Sequence, residues 1–284
     1  MSNFIAKKLQ RGIYLKEQQF FRLREQVYQK SGIYIPNNKR YFLERRFIDC
    51  MKATMIQDSV AYYNLLRYDK SGRHLQTFIE ALTVNETYFF REFEQLRCFA
   101  EEVLPIVGAK KKQGLKIWSA GCSTGEEAYT LAIILLEMLD GEIRSKSTIL
   151  ATDINQQVLE IAEKGIYDER AIRKVPLPYR SKYFTSLSQG YQVIPRLKRM
   201  IDFRQTNILD STIMPFAETI DVIFCRNVLI YFDDNSRHKA VLNFFKALRS
   251  GGFIFLGHAE SMSRITDIFQ LQKFKDIIIY QKPM

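Results

Sequence analysis

Residues 117–127, IWSAGCSTGEE, place two glycines four apart at the end of an apolar run, with two carboxylates directly behind them. In an α/β fold such a strand delivers the chain to the C-terminal edge of a parallel sheet. Gly121 and Gly125 then permit a tight turn and close backbone approach, and a helix expected from near Thr124 aims its free N–H groups at the same point. The turn has no Lys-Ser/Thr pair for a triphosphate, and its spacing is G-x-x-x-G rather than G-x-G-x-x-G. Glu126 and Glu127 would repel a phosphate, so the expected ligand is cationic or neutral and rich in hydroxyls. S-adenosylmethionine, with its sulfonium, ammonium and ribose, fits that chemistry better than NAD or ATP.

Three further clusters carry polar groups where a ligand would need them. Asp153 ends the run TILATD, where nucleotide-binding folds place an acid on ribose hydroxyls, although it also suits a helix cap. DVIFCRNVLIYFDD (221–234) runs from an apolar strand into Arg226-Asn227-Val228, and Asn207 follows another expected strand at 203–206. NETYFFRE (85–92) brings Asn85 and Arg91 to a junction between two parts of the chain, with aromatics at 88–90 that suit interdomain packing.

The elements that must position these residues fall into two grammars. Up to residue 84 the signals are helical. The segment 16–30 repeats Phe20, Phe21, Val27 and Tyr28 and stops at Gly32, and 38–52 repeats Phe42, Leu43, Phe47 and Met51 beside the cations Lys39, Arg40, Arg45 and Arg46. Ser59 is the expected N-cap of a third helix, and a fourth spans about 72–82. Beyond residue 84 helices and strands alternate: strands at 115–120, 147–152, 220–225 and 252–257, with helices between. The stretch 166–202, with Pro176, Pro178 and Pro195, reads as an insertion with its own small sheet that includes 191–195 and 198–203. Two short strands within 269–282 form a closing antiparallel hairpin. The expectation is a helical domain over 1–84 and an α/β Rossmann-like domain over 85–284 with the β-insertion inside it.

Bulk properties narrow the class. Apolar residues make up 46% of the 284, enough for an extensive core. Cys50, Cys98, Cys122 and Cys225 are scattered and only three histidines occur, so neither a zinc site nor a disulfide framework is expected. The segment 1–12 has no apolar leader, and 131–139 is too short to span a bilayer, so a cytoplasmic protein without membrane insertion is expected. Net charge is +11, and residues 1–80 hold 15 Lys/Arg against 7 Asp/Glu. That asymmetry points to an acidic partner for the first third of the chain.

LTVNETYFFRE, WSAGCSTGEEAYTLAI, ATDINQQVLEIAEKGIY and FCRNVLIYFD with LGHAES, in this order and spacing, resemble the chemotaxis receptor methyltransferases, the CheR family. The resemblance covers nearly the whole chain. It implies an all-α domain, a Rossmann-like catalytic domain with an inserted β-subdomain, and S-adenosylmethionine as methyl donor, leaving S-adenosylhomocysteine. The implied reaction is methyl esterification of glutamates on the cytoplasmic helices of chemoreceptors. By similarity Asn85, Thr87, Arg91, Gly121, Glu127, Asp153, Asn207, Ile208, Asn227 and Val228 contact the cofactor, and Arg91 and Tyr231 flank the transferred methyl. Glu126 keeps only the role of a helix N-terminal charge. Lys39, Arg40, Arg45 and Arg46 are the expected face toward an acidic receptor bundle, with no nucleic acid expected. Family members that tether to a receptor's C-terminal pentapeptide carry a glycine-containing loop in the β-subdomain. The stretch 184–195 is short and holds only Gly190, so tethering is not expected; a monomer is. Two other readings fit the residues less well: a methyltransferase of another protein, a small molecule or nucleic acid, and a cofactor-binding regulator without turnover.

Overall fold

The computed structural model describes residues 15–109, 111, 113–210, 217–275 and 277–284; the leader reading of 1–12 lies outside them, as does Asp276 in the closing hairpin. The chain forms two compact units, one of Met1–Val84 with Tyr231–Asp233, the other of Asn85–Ile230 with Asp234–Met284.

The first unit contains the helices Glu17–Ser31, Arg40–Ala53, Ser59–Tyr68 and Arg73–Leu82. Leu23, Leu43, Phe47, Tyr62, Phe78 and Ile79 fill its core, and Phe47 meets the rings of Tyr62 and Phe78 edge-on at 4.9 and 6.4 Å. Gly32 ends the first helix in the left-handed conformation at φ 77°. Three details differ from expectation. Leu23, one turn after Phe20, takes the buried place assigned to Phe21, which is 40% exposed. The third helix is capped by Asp58, whose carboxylate accepts the Val60 and Ala61 N–H groups, and Ser59 is the first helical residue. The four cations do not share a face. Lys39 lies in the 3₁₀ turn Asn37–Lys39. At about 100° per residue, Arg40 falls on the side of Leu43, Phe47 and Met51, whereas Arg45 falls opposite. Arg40 accordingly donates to the Leu15 carbonyl (2.7 Å), pairs with Glu44 (2.9 Å) and lies 5.1 Å over the Phe20 ring.

The second unit is built on a mixed sheet. Its strands are β1 (Lys116–Ala120), β2 (Thr148–Asp153), β6 (Ile201–Gln205), β7 (Ile220–Cys225), β8 (Leu248–Leu256), β9 (Gln270–Phe274) and β10 (Ile277–Gln281). They lie in the order β6-β2-β1-β7-β8-β10-β9. The first five are parallel, and β10 runs antiparallel to both neighbours. β7 is buried along its whole length, as an apolar central strand covered on both faces must be. The strand order reverses between β1 and β7, which makes their C-terminal ends the switch point where open α/β sheets bind ligands. The helices Glu126–Met138 and Gln156–Lys164 follow β1 and β2, and Asp234–Ala247 lies between β7 and β8.

The insertion holds a three-stranded sheet of β3 (Ile166–Tyr167), β4 (Phe184–Leu187) and β5 (Gly190–Val193) in the order β3-β5-β4. The piece at 198–203 does not belong to it. Ile201–Gln205 instead pairs in parallel with β2 over five residues, because the short helix Pro195–Lys198 returns the chain to the main sheet. The aromatics of NETYFFRE pack within this unit: Phe89 meets Tyr167 and Phe184 edge-on at 4.9 and 5.0 Å, and Phe90 stacks on Tyr179 at 6.0 Å.

Candidate active site

The turn after β1 has the strain expected of a backbone that must approach a ligand. Gly121 and Gly125 have φ of 80° and 93°, and Ser123, not a glycine, has 50°. A Cβ on Gly121 would come within 2.4 Å of the Val228 Cγ2, so this glycine lets the ends of β1 and β7 close on each other. The helix begins at Glu126 with Gly125 as its cap, two residues later than expected.

Asp153 and Asn155 divide the two roles that the sequence left open for Asp153. Asn155 caps the following helix by accepting the Gln157 and Val158 N–H groups. Asp153, only 8% exposed, instead holds the glycine turn: its carboxylate accepts the Ser123 N–H at 2.9 Å and the Asn155 N–H at 3.0 Å. The Ser123 hydroxyl donates to the Asn85 carbonyl at 3.2 Å, and the Asp153 carbonyl accepts the Thr206 N–H at 2.8 Å. Asn85, the turn, the end of β2 and the segment leading to Asn207 and Ile208 are thereby linked. Ile208 is buried, and its carbonyl accepts from Asn243.

The two glutamates of the turn have different surroundings, with Glu126 in the first turn of the helix as expected. Both oxygens of Glu127 are engaged by protein: the Ser119 hydroxyl donates to Oε1 and the Arg226 Nε to Oε2, each at 2.6 Å. Glu126 is the one that faces open space. It is 4% exposed, accepts the Thr124 hydroxyl (2.6 Å), and lines a cavity of about 490 Å³ with Asn85, Thr87, Asp168, Arg170 and Arg173. Burial pushes its carboxyl above the ordinary range, against the lowering effect of the Thr124 bond. No cation among the described residues pairs with it.

Around Arg226 a buried charge cluster forms. Besides Glu127, its guanidinium donates to the Arg91 carbonyl at 2.9 Å and lies 3.7 Å from Glu92 Oε2. Two carboxylates therefore share one buried cation, which leaves negative charge at this edge of the sheet. The Arg91 guanidinium is half-buried and donates to the Glu86 carbonyl at 2.8 Å. No carboxylate among the described residues lies within ion-pair distance of it. His258, from the motif LGHAES, is exposed and sits 3.9 Å from Glu92 Oε2. Asn227, at φ 62°, is fixed by Glu260: Oε2 accepts the Asn227 and Gly257 N–H groups at 2.8 and 2.7 Å, and Oε1 accepts that of Ile230 at 3.2 Å. Neither Arg226 nor Glu260 was assigned a site role from sequence. An arginine following a fully apolar strand was the available signal for the first; a lone acid after β8 gave little for the second.

Tyr231 closes the 3₁₀ turn Leu229–Tyr231 and groups with the helical unit, where its carbonyl accepts the Tyr34 N–H at 2.9 Å. Cys122 lies in the turn and Cys225 at the end of β7, and burial pushes both thiols well above the ordinary range, which disfavours the thiolate.

These features fit a ligand with positive charge and hydroxyls: a carboxylate at the end of β2, a glycine-strained turn, surplus negative charge and no phosphate-binding lysine. Residues 85–278 match the S-adenosylmethionine-binding domain of CheR methyltransferases, and 18–83 match the all-alpha domain of the same enzymes. The chain belongs to the CheR methyltransferase family. It is 42% identical over 273 residues to chemotaxis protein methyltransferase 2 of Vibrio cholerae, covering 95% of each chain. It is also 34% identical to the chemotaxis protein methyltransferase of Borreliella burgdorferi, over 90% of this chain and 92% of that one. The Escherichia coli K12 chemotaxis protein methyltransferase is 31% identical, over 91% and 89%. This CheR-family chain is thus an S-adenosylmethionine-dependent methyltransferase with a Rossmann-like catalytic domain. No helix among its described residues is long and apolar enough to cross a membrane.

Proposed function

We propose that the chain esterifies glutamate side chains on the cytoplasmic helical regions of chemoreceptors. The observation that carries this reading is Arg91, a half-buried guanidinium at the cofactor edge with no carboxylate of its own among the described residues. A substrate glutamate supplies the missing anion. When bound, S-adenosylmethionine would supply a methyl group to the ionised carboxylate, an O–CH3 bond forming in line as the C–S bond breaks and the neutral thioether leaves. A glutamate with a pKa of about 4.3 is already ionised at neutral pH, so the protein needs no general base, and His258 is assigned no proton transfer. The protein's work is to align the carboxylate and exclude water. Charge is neutralised along the reaction, so an arginine that gripped the carboxylate too tightly would stabilise the ground state. Arg91 therefore binds and orients.

In this reading Asn85, Thr87, Gly121, Asp153, Asn207, Ile208, Asn227 and Val228 hold the cofactor. Asp153 serves its hydroxyls while bracing the turn, and Tyr231 helps place the substrate. Glu127 acts through Arg226, and Glu126 supplies an uncompensated carboxylate beside Asn85 and Thr87. Partner recognition by the helical unit rests on Lys39, Arg45 and Arg46, since Arg40 is committed to Leu15, Glu44 and Phe20. Ser188 and Gln189 alone join β4 to β5, a hairpin too tight to present a glycine-containing loop, which supports a tether-independent enzyme. Methyl transfer from radiolabelled cofactor to receptor-containing membranes tests the proposal. Label released by mild base is the expected result; base-stable label, or none, overturns it.

A further inference from the structure

We infer that Arg226 is the positioning residue for Arg91, acting through the Arg91 main chain. The inference rests on the assignment of Arg91 to the substrate carboxylate. Arg226 is 8% exposed, and its guanidinium fork joins three stretches of chain. Its own position follows β7, its Nε holds Glu127 at the start of the Glu126–Met138 helix, and an Nη holds the Arg91 carbonyl. The held carbonyl sits between two strained residues. Phe90 and Glu92 have φ of 58° and 57°, a left-handed conformation that is unfavourable for a non-glycine residue. Such a segment relaxes unless neighbours over-determine it. Two amides on its N-terminal side are tied, Phe89 N–H to the Ala171 carbonyl (3.0 Å) and Phe90 N–H to the Thr130 hydroxyl (3.2 Å).

On the C-terminal side of the kink the Arg226 bond fixes the Arg91 peptide. It thereby fixes the direction in which the Arg91 side chain leaves the backbone. Glu92 Oε2 is buried with no hydrogen-bond partner among the described residues and stands 3.7 Å from the same guanidinium, so the segment is also held electrostatically. A guanidinium can serve Glu127 and the carbonyl at once because its donors form a rigid planar fork; a lysine ammonium offers a single point.

The competing role for Arg226 is to neutralise Glu127 and nothing more. Three variants of the full chain separate the two: Arg226→Met, Arg226→Lys, and Arg226→Met combined with Glu127→Gln, which keeps the shape and the Ser119 bond but removes the charge. Amide exchange at Phe89 and Phe90 is the readout that needs no substrate. Arg226→Met should speed it about tenfold or more while exchange in β1, β2 and β7 stays unchanged. Receptor methylation should fall about 100-fold in kcat/KM, with the Kd for S-adenosylhomocysteine within about threefold. Glu127→Gln in the double variant should restore neither exchange protection nor turnover. If it restores both, or if Arg226→Met leaves exchange unchanged, the positioning role is overturned. Should Arg226→Met fail to fold, Arg226→Lys decides: exchange faster than in the wild type supports the role, and unchanged exchange overturns it. A wild-type chain that methylates no receptor defeats the proposed function alone, because the exchange arm still decides the role of Arg226.

Discussion

The two ends of β7 each bury a charge, and the two clusters are built in opposite ways. At the N-terminal end Asp221 is fully buried; its carboxylate takes the Lys111 ammonium and the Lys116 N–H at 2.8 Å each and lies against the Arg249 guanidinium. Two cations serve one anion, and both keep about a fifth of their side-chain surface in water. At the C-terminal end one cation, Arg226, serves two carboxylates, and positive-φ residues crowd around it: Phe90, Glu92, Gly121, Ser123 and Asn227. The first cluster carries surplus positive charge, which its two partly exposed cations share with water, and it sits beside a register irregularity at Ile220/Val222. The second keeps surplus negative charge in a strained backbone at the sheet's switch point, where a cationic cosubstrate is to be held. The sign of the buried surplus and its place at the switch point distinguish the two ends: negative and little exposed at Arg226, positive and partly hydrated at Asp221.

The largest effect expected at the ligand edge is that of Arg91→Ala, which should lower kcat/KM for receptor methylation by about 100-fold or more while circular dichroism and Tm stay near wild type. Near-normal turnover would remove Arg91 from the chemistry. Asp153→Ala should weaken S-adenosylhomocysteine binding by about tenfold to 100-fold in calorimetry, since it removes both a hydroxyl partner and the brace on Ser123. An unchanged Kd would move the cofactor's hydroxyls elsewhere.

At the opposite edge Asp221→Asn should cost about 2–3 kcal/mol of stability, less than a sealed pair because Lys111 and Arg249 can turn to solvent. Turnover per folded molecule should not change; a loss there would mean that the two ends are not independent.

The smallest effect concerns pH. Burial raises the carboxyl of Glu126 in the folded state, so the native chain binds that proton more tightly than the unfolded chain. This contribution to stability is complete at low pH and is lost as pH rises through and above the ordinary glutamate range. Glu126→Gln should flatten that decline in a denaturation series between pH 4 and pH 8; an unchanged slope would show that the cavity solvates the carboxylate.

Much of this was legible in the residue order. Alternating helix and strand signals, the G-x-x-x-G turn, Asp153 at a strand end and Arg226-Asn227 after β7 are local features with a fixed period or a fixed place relative to a strand end, and they located the C-terminal edge of the sheet. Helical repeats did the same for the first unit, down to the left-handed Gly32. Which side chain faces the cavity was not legible. Glu126 and Glu127 are adjacent, and only the arrival of Arg226 and Ser119 from neighbouring strands decides that one is paired and the other lines the cavity. Similarly, 198–203 reads as a strand in any setting, but its choice of the main sheet depends on where Pro195–Lys198 turns the chain. The four cations near residue 40 appeared as one group in sequence, yet helical geometry sends Arg40 to the core side. Backbone propensity and spacing act over a few residues, so the chain itself determined its elements and their ends. Pairing of charges depends on groups about 100 residues apart, as Glu127 and Arg226 are, and only the tertiary structure could decide it.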